Sequence, residues 1–305
     1  MVPIAPHSAN VPSVLRGGYV AGVSDVVLAP VPPYSLAQSA HGSDPTRRFR
    51  DGVLEMVFAV DGSPMFAQVW QRPDGTLHAR VDGDARDAAV AHLRFVLAID
   101  VDHRVFLELA AADALLGPLV SRRRGLRPVR TSTVAHALVQ AVAGQLITAR
   151  EARLIEYRIV ASCSRSHAGL LLPPTTEGLR AVSAAELTRT GLAPRRAAAL
   201  ARVVRTLDVE RLRNVATDRA VVRIARERTL GPWSAGVIAL YGLGRYEHGL
   251  VGDLGLIRLC ANLLGREATA EDTHRLLVRY GVWAGLAGIH LMHHPLARKR
   301  VAHAA

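Results

Sequence analysis

The sequence predicts an α+β fold, with a small antiparallel-sheet unit over residues 1–118, its first ten or so loose, followed by an all-α body over 119–305. Three observations carry this expectation. From Val53 the residues Val53, Glu55 and Val57 alternate with Leu54, Met56 and Phe58, and turn signals at Asp61-Gly62 and Pro73-Asp74-Gly75 break the strands that follow. Beyond residue 103 the apolar spacing becomes helical and stays so. Helix-start signals then recur down the chain, including two capping boxes, Thr148-Ala149-Arg150-Glu151 and Ser183-Ala184-Ala185-Glu186.

In order, Tyr19–Val23 and Val26–Leu28 read as edge strands. The run from Val53 is followed by strands at Met65–Gln71 and Thr76–Val81, joined at Pro73-Asp74-Gly75 because Gly accepts the positive φ the turn needs. Asp84 to Ala98 is a helix whose Ala88, Val90, Ala91, Phe95 and Ala98 face the sheet. His103–Ala114 is helical, and Arg122-Arg123-Arg124-Gly125 breaks the pattern. Thr131-Ser132-Thr133 caps a helix from Val134 to Gly144, and Thr148 opens one to about Ser162. Ser183 opens a short helix that stops at Gly191; Pro194 starts another to about Thr206, and Val209–Val215 is short. Asp218 caps Arg219–Arg228, which Thr229-Leu230-Gly231-Pro232-Trp233 connects to Ser234–Leu243.

Composition narrows the function. The 305 residues carry a formal charge of +12 and are 50% hydrophobic, too apolar for a disordered basic tail. Of 38 basic residues, Lys299 is the only lysine and 37 are arginine. Such a balance suits a phosphate polyanion, and arginine binds phosphate in a bidentate manner. Two distant cysteines, Cys163 and Cys260, exclude a disulfide framework and a four-cysteine iron–sulfur cluster. The N-terminus does not read as a signal peptide, and the most apolar stretch, Val134 to Ile147, is too short to span a membrane, so the expectation is a soluble, cytoplasmic protein, nucleoid-associated if bacterial. His290, His293 and His294 have no carboxylate at helical spacing and are not read as a metal site.

The hairpin between the helices 219–228 and 234–243 turns backbone N–H groups and a helix N-terminus outward, which suits a phosphate. Gly231-Pro232-Trp233-Ser234-Ala235, followed by Asp253 in Val251-Gly252-Asp253-Leu254-Gly255-Leu256, resembles the helix-hairpin-helix DNA glycosylase superfamily, in particular its DNA-3-methyladenine glycosylase II branch. Leu138 to Thr148, Leu187 to Leu200 and Tyr280-Gly281-Val282-Trp283 are similar to further segments of that branch in the same order, so the resemblance covers roughly residues 104–295. The all-α body is then expected to be a helix-hairpin-helix glycosylase core.

The resemblance implies a monofunctional enzyme that flips an alkylated base of the 3-methyladenine type from double-stranded DNA and hydrolyses its N-glycosidic bond, acting as a monomer. It implies Asp253 as the catalytic carboxylate, Trp233 and Trp283 as walls of the base pocket, and Thr229, Leu230, Gly231 and Ser234 as the hairpin that holds DNA. Gln145 and Leu146 would stand at the gap left by the flipped base. No cofactor is implied beyond a monovalent cation at the hairpin carbonyls. Trp233 occupies the position of the Schiff-base lysine in bifunctional relatives, so no lyase step is expected.

The chain also departs from the family pattern. Thr229 replaces a hairpin glycine, Val237 an aromatic, Ser234 a threonine, and Val282-Trp283-Ala284-Gly285 a run that is often Pro-Trp-Arg-Ser. A reduced pocket leaves open the alternative of a non-catalytic sensor that only holds damaged DNA.

Overall fold

The computed structural model describes residues 23–40, 42–83, 85–145 and 148–298. Two Asp-Gly pairs shape the sheet. Asp51 (φ 52°) with Gly52 (φ 79°) and Asp61 (φ 49°) with Gly62 (φ 79°) supply the left-handed pairs of two-residue hairpins, whose twist matches that of the flanking strands. Six strands result: β1 (Val23–Leu28), β2 (Ser43–Asp44), β3 (Arg47–Arg50), β4 (Val53–Val60), β5 (Ser63–Gln71) and β6 (Leu77–Asp82), antiparallel in the order β1-β6-β5-β4-β3-β2. Pairing Val53 with Trp70 and Val57 with Phe66 sets the central register. Leu54, Met56 and Phe58 pack with Leu93 and Val96 of the helix Arg86–Val96. On the other side Val57 packs with Leu170 and Leu172. Burial on both faces explains why β4 is so apolar despite its alternation.

The turn at Asp51-Gly52 is the same signal as Asp61-Gly62, yet β3 was not expected from sequence because its Arg47-Arg48-Phe49-Arg50 has little apolar content. Most of the expected strand Tyr19–Val23, and Asp84, lie outside the described residues; Val26–Leu28 falls within β1. The expected boundary lies near residue 118, and a helical segment just before it packs with the body beyond it. Phe106, Leu107 and Ala110 of the helix Arg104–Ala111, and Leu116 beyond it, belong to the core of the helical body, because their apolar faces meet helices and not the sheet.

Thr133 caps the helix Val134–Ala143 through its side chain, and both expected capping boxes form. Glu210 adds a second cap, accepting from Val134 N and Ala135 N at 2.9 Å each. Asp218 does not cap the helix Thr217–Ala225. Ala216 stands at that position without a side-chain bond, and Asp218 lies in the first turn, where its charge suits the helix dipole.

Several arginines are spent inside the molecule. Arg127 is fully buried; its Nη1 donates to Ala98 O (2.9 Å) and Ile99 O (3.1 Å), its Nη2 to Val31 O and Pro33 O, and its Nε to His103 Nδ1 (3.1 Å). Arg130 donates to Phe95 O and Gly244 O at 3.0 Å each, tying the sheet's helix to the helical body. A guanidinium meets so many carbonyls because it carries five donors in one plane.

His290 has both ring nitrogens buried without a hydrogen-bond partner among the described residues, 5.5 Å from the Phe106 ring. Burial, reinforced by His293, His103 and Arg123, holds its pKa down to about 3. Unfolding returns it to about 6.5, so the unfolded chain binds the extra proton between these values and stability falls as the pH drops through that window. Half-buried His92, stacked on Phe58 at 4.3 Å and lowered to about 4 by desolvation, acts in the same direction. Thermal melts should therefore show the midpoint falling from pH 6.5 toward pH 4, and His290→Leu should flatten part of that slope.

Candidate active site

The hairpin joins the helix Thr217–Ala225 to the helix Pro232–Val237, which continues into a π-helical stretch, Ile238–Leu243. Leu230 N donates to Glu227 O (2.8 Å), and Glu227 is anchored from below by Arg202, whose Nε and Nη2 reach its two oxygens at 2.8 and 2.9 Å. These bonds hold the Glu227 carboxyl below the usual carboxylate range. The turn needs no left-handed residue at either glycine position of the family pattern, the replaced one at 229 or the kept one at 231. Gly231 has φ −76°, and Thr229 is not among the described residues with positive φ. Threonine at 229 is thus compatible with the hairpin, and the side chain it adds donates to Glu227 Oε1 (3.3 Å).

Asp253 is the N-cap of the helix Leu254–Leu264. Its Oδ1 accepts from Gly255 N (2.8 Å) and Leu256 N (3.4 Å), which leaves Oδ2 to face the hairpin, where it accepts from Trp233 Nε1 at 3.2 Å. The capping and site roles therefore use different oxygens. Gly252, at φ 85°, turns the chain into this cap, and its N–H donates to the buried Thr273 Oγ1 at 2.8 Å. The two segments meet closely because Gly236 lies against the Gly249 backbone, where a Cβ would collide with Gly249 O.

A cleft of about 810 Å³ opens beside this pair and is lined by Gln145, Thr229, Gly231, Trp233, Ser234 and Asp253, with exposed Arg228 and Arg258 at its edge. Gly231 faces open space. A second recess of about 430 Å³ shares Trp233 with the cleft and is lined on its far side by Val237, Tyr241, Gln140, Glu156, Asp44 and Arg47. Burial pushes the Tyr241 hydroxyl up to about 12, with Arg47 opposing and Asp253 adding to the shift. Trp233 is the partition between them, and Gly144 lets it sit there: a Cβ at 144 would lie 2.8 Å from its Cη2.

The sequence expectations are redistributed by this geometry. Asp253, Trp233, Thr229, Gly231, Gln145 and Ser234 converge on one cleft. Leu230 and Ser234, expected on the DNA-holding surface, are buried to 2% and 1% exposure, and they shape the hairpin from within. Gln145 donates through Nε2 to Thr229 O and Ser234 Oγ, each at 2.8 Å, so its amide clamps the turn onto the hairpin. Trp283, expected in the base pocket, lines neither space. It stands 5.9 Å from each of the Tyr246 and Phe106 rings, because Gly285 N donates to Tyr246 O and draws the helix Ala284–Leu291 onto that segment. A Cβ at Gly285 would approach His248 O to 2.9 Å, which accounts for the glycine that stands where the family often has serine. Leu146 lies outside the described residues. Thr273 and the pair Gln140–Glu156 were not singled out from sequence, since Gln140 reads as one polar residue on an apolar helix and Glu156 and Thr273 as ordinary polar residues of charged helices.

No protein-family model matches the chain. In sequence it is 29% identical over 259 residues to the probable bifunctional transcriptional activator/DNA repair enzyme AlkA of Mycobacterium tuberculosis, in each of two strains, and it is homologous to that protein. The match covers 81% of this chain, which spans about half (52%) of the length of these relatives. Among solved structures, a 3-methyladenine DNA-glycosylase from Archaeoglobus fulgidus superposes with TM-score 0.70 at 20% identity, over 81% of this chain and 88% of that one. The structure of MBOgg1 in complex with a low-affinity DNA ligand gives 0.73 at 17% identity, covering 92% and 97%. Clostridium acetobutylicum 8-oxoguanine glycosylase/lyase gives 0.70 at 14%, covering 88% and 96%. The chain has the helix-hairpin-helix glycosylase fold. No helix of the described residues is long and apolar enough to cross a membrane.

Proposed function

We propose that this protein is a monofunctional DNA glycosylase that removes alkylated bases of the 3-methyladenine type and leaves an abasic site. One observation carries the reading most: a half-buried carboxylate, Asp253, is fixed by a helix cap on one oxygen and an indole N–H on the other at the edge of a cleft beside an arginine-flanked hairpin. Cleavage of an N-glycosidic bond develops positive charge on the sugar, and a carboxylate already oriented stabilises that charge without reorganisation. The same group orients the attacking water. Arg228, Arg258 and the exposed Gly231-Pro232 turn provide contacts to the phosphates that depend on no base.

The homology to AlkA and the fold shared with a 3-methyladenine glycosylase favour alkylated bases. Hydrolysis without strand cleavage is favoured by Trp233, which stands in the cleft where a Schiff base would need an amine. The hairpin carbonyls of Glu227 and Thr229 each accept one hydrogen bond and keep a second lone pair. Those two would hold a monovalent cation, which would supply positive charge at the hairpin.

Incubation with methylated duplex should release free methylated bases, identified by mass, and leave the strand uncut until alkali is added. Borohydride should trap no covalent adduct. A sensor that only held lesions would bind the same duplex and release nothing.

A further inference from the structure

The recess behind Trp233 carries a buried polar pair, Glu156 and Gln140, on one wall, while exposed Arg153 and Arg298, with His293, also line it. Glu156 is buried, its side chain 8% exposed, and its Oε1 accepts from His136 Nε2 (2.8 Å) and Gln140 Nε2 (2.9 Å). Its Oε2 makes no hydrogen bond among the described residues. Because one N–H of the Gln140 amide goes to Glu156, the carbonyl oxygen of Gln140 and its second N–H are left. The wall therefore offers two acceptor oxygens, one of them on a carboxylate, against a single spare amide N–H. Asp44 is differently placed: it accepts from Thr46 N (2.8 Å) and Thr46 Oγ1 (2.7 Å) and is paired with Arg47 Nε (2.8 Å), while Arg47 Nη1 donates to Arg130 O (3.1 Å). Those charges answer each other. Val237, where an aromatic is usual, adds no ring to fill the space.

We propose that Glu156 and Gln140 determine specificity by reading the flipped base as a hydrogen-bond donor edge, selecting cationic purines that carry an exocyclic amino group over neutral purines with a carbonyl there. The inference rests on the glycosylase reading and names the substrate class of that site. A buried carboxylate with an open oxygen favours a partner that brings both a donor and a positive charge. An N-alkylated adenine brings both, whereas a carbonyl edge such as that of hypoxanthine sets acceptor against acceptor. Selection by Trp233 alone would respond to charge and ring area; this wall adds a requirement for a donor.

The test has two readouts on the full chain. In the first, kcat/KM for release of 3-methyladenine and of hypoxanthine from duplex DNA is compared in wild type, Glu156→Gln and Gln140→Met, each with its melting temperature. The preference for 3-methyladenine should fall at least tenfold in Glu156→Gln, with hypoxanthine release unchanged or raised. Gln140→Met, which leaves the His136–Glu156 bond in place, should lose a smaller part of the preference. Equal loss for both substrates would assign the pair a structural role and overturn the proposal, as would an unchanged ratio. The second readout needs no turnover: quenching of tryptophan fluorescence by 1-methyladenosine, a cation with a donor at this edge, against 1-methylinosine, which is neutral with a carbonyl. Wild type should favour 1-methyladenosine at least tenfold, and Glu156→Gln should lose that preference. No base release by wild type, with the nucleoside preference present and dependent on Glu156, would defeat the glycosylase reading and keep the recess chemistry. Base release without any such dependence would do the reverse.

Discussion

Asp253→Asn should lower the rate of base release by roughly 10²–10³-fold while leaving the melting temperature and affinity for undamaged duplex nearly unchanged. Asparagine caps a helix about as well as aspartate, so the bonds from Gly255 N and Leu256 N survive through the amide oxygen. The amide nitrogen then faces the Trp233 N–H, where Oδ2 had accepted it, and the cleft loses its fixed negative charge. The separation of effects is the point of the experiment. Single-turnover release from methylated duplex, with a parallel melt, reads it directly. A variant as active as wild type would remove Asp253 from the chemistry and leave it as a helix cap.

Trp233→Phe and Trp233→Ala should form a graded pair. Phenylalanine keeps a ring between the cleft and the recess but deletes the N–H that meets Asp253 Oδ2 at 3.2 Å. A hydrogen bond to a charged group contributes about 1.5–3 kcal/mol, so the expected loss is about 10- to 100-fold. Alanine also removes the partition and should cost at least a further tenfold, together with stability, since the ring packs against Gly144. Rates measured on one lesion with both variants distinguish orientation of the carboxylate from stacking on the base. Equal activity of the two would mean that the indole N–H, and not the ring, is what the site needs.

Much of the chain was legible before any coordinates. The two-residue turn at Asp61-Gly62, the capping boxes at Thr148 and Ser183, and the helix from Pro194 to Thr206 depend on residues within one turn of each other, and they form where the local chemistry places them. The resemblance to helix-hairpin-helix glycosylases was also legible, because the Gly231-Pro232-Trp233 hairpin and Asp253 are close enough in sequence to be read as one pattern. β3 was lost for the opposite reason, since an arginine-rich strand shows no apolar period.

The arginine excess shows where such reading stops. By itself it indicated a polyanion surface, and Arg228 and Arg258 do stand at the cleft. Arg127 and Arg130, with the same composition signature, instead tie backbone carbonyls together inside the fold. Charge is a property of the residue, but whether it meets solvent or carbonyls is decided by segments many residues away. The site divides in the same manner. Sequence alone determined the α+β order of elements, the hairpin, the carboxylate at 253 and the lack of an amine at 233, since each is local or a matter of residue identity. Only the tertiary structure decided that Asp253 divides its oxygens between a cap and Trp233, that Trp283 stays with Phe106 and Tyr246, and that Gln140 and Glu156 face the recess behind Trp233. Those outcomes depend on close approaches between distant segments, at Gly144, Gly236 and Gly285, where the absence of a side chain sets which surfaces meet.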